Sequence, residues 1–270
     1  MNNPLKLNSF AEIYESYDNF IIDLWGVVHN GVKIFDGILE VLEKIKISKK
    51  KVFFMTNAPR RSYIIESQLS DFGLRRDLYE CVISSGEVTW YFLKKKKYRF
   101  CHIIGPERDY NLIDGLNYEI AKTHQQVEVI INTGPWGFED TLDNYKPLLN
   151  SLVKTKPIMI CSNPDKIVVR GNKFVICAGL LAEYYELIGG KVIYYGKPYN
   201  EIYEFCYQKI SNKTKKKTLV VGDSLDNDIK GANEQNLDSL LVIDGIHREV
   251  NGKNGVDKEK LNDLIKKKKR

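Results

Sequence analysis

A series of polar side chains falls directly behind apolar runs in this chain. Asp23 follows Phe20-Ile21-Ile22, Thr56 and Asn57 follow Val52-Phe53-Phe54-Met55, Lys197 follows Val192-Ile193-Tyr194-Tyr195-Gly196, and Asp223, with Asp228 close behind, follows Leu219-Val220-Val221-Gly222. A short buried strand ending in such a group puts it at the carboxyl edge of a sheet, where open α/β folds hold their ligands. Parallel strands open at one edge, so groups far apart in sequence converge there. Two carboxylates on neighbouring strands make a hard oxygen site of the kind that holds Mg²⁺ and leaves positions for water and phosphate oxygens. A threonine hydroxyl, the N–H groups of a loop entering a helix, and a lysine would neutralise the non-bridging oxygens of a phosphoryl group. A carboxylate such as Asp23 can take that group as an aspartyl phosphate. Taken singly, each residue also reads as ordinary punctuation: Asp23 and Thr56 as caps, Gly196-Lys197-Pro198 as a turn, Gly222-Asp223 as a strand end.

The elements that must position these groups alternate. The pattern predicts a strand over residues 20–28 and a helix over 37–47, with Ile38, Leu39, Val41, Leu42 and Ile45 at helical spacing. A strand over 52–55, a helix over 63–72 stopped at Gly73, and a strand over 81–83 follow. A second series has strands at 101–105, 127–132 and 157–161, with helical patterns at 110–116 and 142–153. The first pattern then resumes with a strand at 192–195, a helix at 202–210, and strands at 218–222 and 239–243; a short helix over 258–265 closes it. Strand alternating with helix implies a parallel sheet with crossover helices, an α/β fold.

Bulk properties narrow the function classes. A chain of 270 residues corresponds to one large or two modest domains. Hydrophobic residues at 43% and charged residues at 28% are ordinary for a globular protein. No window approaches the roughly 18 unbroken apolar residues of a spanning helix, and Met1-Asn2-Asn3-Pro4-Leu5-Lys6 does not read as a secretory signal, so a cytoplasmic location without membrane contact is expected. The 5 cysteines are odd in number and contain no Cys-x-x-Cys pair, which reads as reduced core residues; the 4 histidines form no His-x-x-x-His ligand pair. The net charge of +6 comes from separate lysine-rich clusters at 49–51, 94–97, 215–217 and 266–270. They lack interleaved aromatic platforms, so solvated surface is expected and a nucleic-acid partner is not.

In the order carboxylate, hydroxyl, lysine, paired carboxylates, the chain resembles the haloacid dehalogenase superfamily of phosphatases. Within it the chain is similar to the class IIA group, which includes sugar-phosphate, 4-nitrophenylphosphate and pyridoxal-phosphate phosphatases. The resemblance runs from about Phe20 to Gly245. It implies that Asp23 is the nucleophile, that Thr56 with Asn57 binds phosphate, that Lys197 neutralises charge, and that Asp223 with Asp228 holds Mg²⁺. It also implies that the backbone carbonyl of Trp25 completes the protein ligands to that ion. The stretch between Asn57 and Lys197 far exceeds the roughly 30 residues of a βαβ unit, which fits the group's inserted cap. The expected architecture is therefore a Rossmann-like parallel-sheet core, residues 1–83 and 179–270, interrupted by a C2-type α/β cap at 84–178. Asn163-Pro164-Asp165 resembles a segment near the junction of cap and core in this class; a structural role is expected, with substrate contact as the alternative. The resemblance further implies a small phosphorylated metabolite as substrate, chosen by the cap, and a homodimer.

One position departs from the pattern. Most phosphatases of this superfamily carry a second aspartate two residues after the nucleophile, and here that residue is Trp25. Indole has an N–H donor but no proton to titrate near neutrality, so it cannot act as general acid or base. Three readings stay open: a phosphatase in which water or His29 moves the proton, a phosphate- and Mg²⁺-binding protein with little turnover, and a dehalogenase, whose relatives carry an aromatic residue here. The Gly222-Asp223 to Asp228 metal motif counts against the third.

Overall fold

The computed structural model describes residues 5–170, 173–210, 217–252 and 255–268. Its first elements are β1 (Asn19–Ile22), α1 (Ile38–Ile47), β2 (Lys51–Thr56), α2 (Ser62–Asp71), β3 (Cys81–Ser84) and α3 (Ser85–Lys94). There follow β4 (Phe100–Ile104), β5 (Glu119–Ile120), β6 (Val129–Asn132), α4 (Leu142–Leu152), β7 (Ile158–Cys161), β8 (Ile167–Arg170), β9 (Lys173–Ile176) and α5 (Ala178–Leu187). The chain continues through β10 (Lys191–Tyr194), α6 (Asn200–Tyr207), β11 (Thr218–Gly222), α7 (Lys230–Glu234), β12 (Asp238–Leu241), β13 (Asn251–Gly252), β14 (Gly255–Val256) and α8 (Lys258–Lys268).

Two parallel five-stranded sheets carry the fold. The first has the order β12-β11-β1-β2-β3 and the second β10-β7-β6-β4-β5. From β1 the chain steps to β2 and β3 on one side, then returns after the second sheet to β11 and β12 on the other. The order reverses at β1, and such a switch point leaves a crevice at the carboxyl ends of the strands.

Alternation along each strand sorts the apolar side chains into layers. Phe20, Ile22, Val52 and Phe54 face one way and pack with Leu42 and Ile45 of α1 and Ile65 and Leu69 of α2. Ile21, Phe53 and Met55 face the other way, where Val88 and Leu93 of α3 and Ile202, Tyr203 and Cys206 of α6 meet them. The same cluster continues into Cys101, Ile103, Val129, Ile131 and Ile160 of the second sheet. The far face of that sheet, with Ile104, Ile130 and Met159, packs on Tyr145 and Leu149 of α4 and Leu181 and Tyr185 of α5. α3 and α6 thus form one helical layer shared by both sheets.

Four expectations change. β1 ends at Ile22, not at residue 28. Beyond it the chain turns tightly, Val28 and His29 donating their N–H groups to the Leu24 carbonyl at 2.8 and 3.0 Å, and Leu24, Val27 and Val28 are buried in that turn rather than in a strand. The helix expected at 110–116 is a 3₁₀ segment, Glu107–Ile113, stopped just before Gly115 adopts a φ of 73°. The helix expected at 202–210 covers Asn200–Tyr207. Lys191–Tyr194, read as a return to the first sheet, pairs in register with Ile158–Cys161 and belongs to the second. The second sheet therefore extends beyond Ala178, where the sequence reading closed the inserted unit.

Candidate active site

β1 is the central strand of the first sheet, so Asp23 emerges between the ends of β2 and β11. Its N–H donates to the Val221 carbonyl at 2.8 Å, which continues the ladder by one residue and aligns Asp23 with the end of β11. The turn that follows requires glycine at position 26: φ is 84°, and a Cβ there would lie 2.2 Å from Asp223 Oδ2.

Lys197 is 3% exposed and uses all three ammonium donors. Nζ donates to Asp23 Oδ1, to Asp228 Oδ1 at 2.7 Å and to the Met55 carbonyl at 3.1 Å. Burial works against this ammonium, but Asp228 and Asp23 outweigh it and hold the lysine above its ordinary range, so it stays charged. Asn57 brackets the Lys197 peptide: its Oδ1 accepts the Lys197 N–H at 2.7 Å and its Nδ2 donates to the Lys197 carbonyl at 3.1 Å. Thr56 closes β2, and its Oγ1 accepts the Ala58 N–H at 3.2 Å, which leaves the hydroxyl hydrogen as a donor. Asp23, Thr56, Asn57, Lys197 and Asp228 are thus brought to this edge, and Thr56 does cap its turn as well.

Asp23, Asp223 and Asp228 are buried, and one oxygen from each lies within 4.8 Å of the others. Asp228 Oδ2 accepts the Ser224 N–H at 3.1 Å, and Asp223 Oδ2 accepts the Ile246 N–H at 2.8 Å. Burial pushes Asp23 well up; Lys197 pulls it back, and Asp228 and Asp223 add to the rise. Asp223 is pushed up to about 6 by burial and then by Asp228. The cluster carries more negative charge than Lys197 offsets. A divalent cation with a preference for hard oxygen ligands fits that donor set and would favour the ionised forms of Asp23 and Asp223 against their burial.

Trp25 and His29 settle into different surroundings. The Trp25 indole is 36% exposed and covers Gly31, where a Cβ would lie 2.3 Å from the ring. His29 is 4% exposed, edges onto Trp25 and Phe72, and accepts the Gly31 N–H on Nδ1 at 3.0 Å. Burial, with Arg60 adding to it, pushes its imidazole down to about 4. A group so depressed is neutral at pH 7 and is a poor proton donor, so His29 reads as a turn residue. An unfolded histidine titrates near 6.5, so between about 6.5 and 4 the unfolded chain binds the proton first. Stability is therefore expected to fall as pH drops through that window and to be unaffected by His29 titration above it. Urea midpoints at pH 7 and pH 5 check this: His29→Gln should lose less than the wild type between them.

Sequence reasoning missed Asn227, which neighbours Asp228 and donates to Asp165 Oδ1 at 2.7 Å. Its only advance signal was that adjacency. Asp165, expected to be structural, also accepts from Asn57 Nδ2 at 2.9 Å.

Comparison with known proteins agrees with this fold. A haloacid dehalogenase-like hydrolase model matches residues 20–119, and a HAD-hydrolase-like model matches residues 194–264. A solved hydrolase of the haloacid dehalogenase-like family from Brucella suis 1330 is 31% identical with a TM-score of 0.83, over 91% of this chain and 92% of that one. Phosphoglycolate phosphatase 2 of Arabidopsis thaliana is 24% identical over 92% of this chain and 89% of its own length. A 4-nitrophenylphosphatase of Schizosaccharomyces pombe is 24% identical over 90% of each.

Proposed function

Because the chain belongs to the haloacid dehalogenase-like hydrolases, we propose that it is a metal-dependent phosphatase acting on a small phosphorylated metabolite. The observation that carries this reading is the buried Lys197 bridging Asp23 and Asp228 at the switch point of the first sheet. An Asp23 oxygen attacks phosphorus, the bond to the leaving oxygen breaks, and an aspartyl phosphate forms. Thr56 Oγ1 donates to a phosphoryl oxygen, and Asn57 fixes the Lys197 backbone so that its ammonium offsets the gathering charge. With Trp25 at the usual acid position, the leaving oxygen takes its proton from water. A second water then releases phosphate and restores the Asp23 carboxylate.

Asp23, Asp223, Asp228 and the Trp25 carbonyl would hold Mg²⁺, which supplies charge neutralisation at the phosphoryl oxygens. The cap in this reading is the second sheet with α4 and α5, and it extends to β10. Phosphoglycolate and 4-nitrophenyl phosphate, named for the two curated relatives, are the first substrates to try. No helix among the described residues is long and apolar enough to cross a membrane, and all five cysteines are unpaired, which supports a reducing, cytoplasmic setting.

Phosphate release from both compounds is expected with Mg²⁺, to fall to background with EDTA, and to return when Mg²⁺ is restored. Release that ignores EDTA would remove the metal from this reading. Trp25 favours one other reading, a phosphate- and Mg²⁺-binding protein with little turnover. Phosphate binding without release from any member of a phosphometabolite panel would select it.

A further inference from the structure

The loops that carry the site do not touch one another at random. Thr56 and Asn57 end β2, Lys197 follows β10, and Asp228 follows β11. Asn57 is tied to Lys197 by two hydrogen bonds, at 2.7 and 3.1 Å. Asn227, next to Asp228, has no such tie to Asn57. What joins them is a single oxygen of a residue from the second sheet's side of the molecule: Asp165 Oδ1 accepts Asn57 Nδ2 at 2.9 Å and Asn227 Nδ2 at 2.7 Å.

Asp165 is itself held in place. Its segment leaves the carboxyl end of β7, and its N–H donates to Asn163 Oδ1 at 3.0 Å, an Asx-turn that sets the local backbone. Its carbonyl accepts the Gly179 N–H at 2.9 Å, from the first turn of α5. The carboxylate is therefore presented from a short loop pinned at both ends to the second sheet and its helix, and it reaches groups that belong to the first.

We propose that Asp165 is a positioning residue for phosphoryl transfer: its Oδ1, presented from the inserted unit, holds the loop of Thr56 and Asn57 in register with the loop of Asp228, and through Asn57 with Lys197. The proposal rests on the phosphatase reading. It assigns to Asn163-Pro164-Asp165 a task beyond joining the two sheets, and it does so without contact to substrate. A lost acceptor here unties Asn57 from Asn227, and each sits one residue from a group that the reaction uses.

Steady-state kinetics on 4-nitrophenyl phosphate with Mg²⁺ test it, beside thermal melting of each variant. Asp165→Ala is expected to lower kcat by about 10- to 100-fold, the usual size for a residue that orients ligands through others, with KM within about threefold. Asp165→Asn keeps an acceptor oxygen and is expected to recover kcat to within about threefold of the wild type. Asn227→Ala probes the same contact from the donor side and carries the test if Asp165→Ala does not fold: kcat should fall several-fold at an unchanged melting temperature. The proposal is overturned by kcat within twofold of wild type in Asp165→Ala or, where that variant does not fold, in Asn227→Ala. A loss confined to KM would also overturn it, because that assigns Asp165 to substrate, and so would Asp165→Asn no better than Asp165→Ala. A wild type with no activity defeats the phosphatase reading itself, a result distinct from all of these.

Discussion

Trp25→Asp is expected to raise turnover of an alkyl phosphate such as phosphoglycolate by about 10²- to 10⁴-fold, the range that general acid–base catalysis contributes. An alkoxide is a poor leaving group and gains most from a proton delivered as its bond to phosphorus breaks. A 4-nitrophenolate leaves without one, so the gain on 4-nitrophenyl phosphate should be smaller. The substitution is sterically modest, because it withdraws an indole that is 36% exposed and rests on Gly31. Comparing kcat for the two substrates in wild type and variant isolates the missing proton from any general change in the site. A variant no faster than wild type on the alkyl ester would rule out proton supply as the limitation.

Asp23→Asn should abolish phosphate release, by on the order of 10⁶-fold if a covalent nucleophile is removed cleanly. The clean removal follows from the contacts. An asparagine Oδ1 still accepts from Lys197, and Lys197 keeps Asp228 at 2.7 Å and the Met55 carbonyl at 3.1 Å. The fold should therefore survive, and the melting temperature should hold or rise, because burial and two neighbouring carboxylates already disfavour the charge on Asp23. Activity equal in wild type and Asp23→Asn would mean that the phosphate came from another enzyme in the preparation. Measured together, rate and melting temperature separate a lost nucleophile from a lost structure.

Asp23, Thr56, Lys197 and Asp223 were legible because each follows an apolar run, with Asp228 close behind Asp223, and the unbroken apolar runs of β1 and β2 mark strands buried on both faces. Lys191–Tyr194 could not be placed the same way. Its apolar run reads alike in either sheet, and only pairing with Ile158–Cys161 decides the matter. Leu24, Val27 and Val28 extended the apparent strand because burial in a tight turn leaves the same apolar letters as burial in a sheet. The ties between Asp165, Asn57 and Asn227 left no pattern at all, since a hydrogen bond between distant loops imposes no periodicity on either. His29 showed the converse: a residue type suited to proton transfer, whose burial beside Phe72 removes the charge that would make it useful.

The central position of β1 has a consequence for how the molecule is made. The partner for one flank of β1, β2, leaves the ribosome soon after it, but the other flank waits for β11, whose Thr218 meets Asn19 across 199 positions of chain. At ordinary translation rates that interval is roughly 10 to 40 s, during which an apolar strand has an open edge. Asp223 and Asp228 arrive with β11. The carboxylate cluster is therefore among the last features to assemble, and a nascent chain carries Asp23 long before it carries the rest of the site.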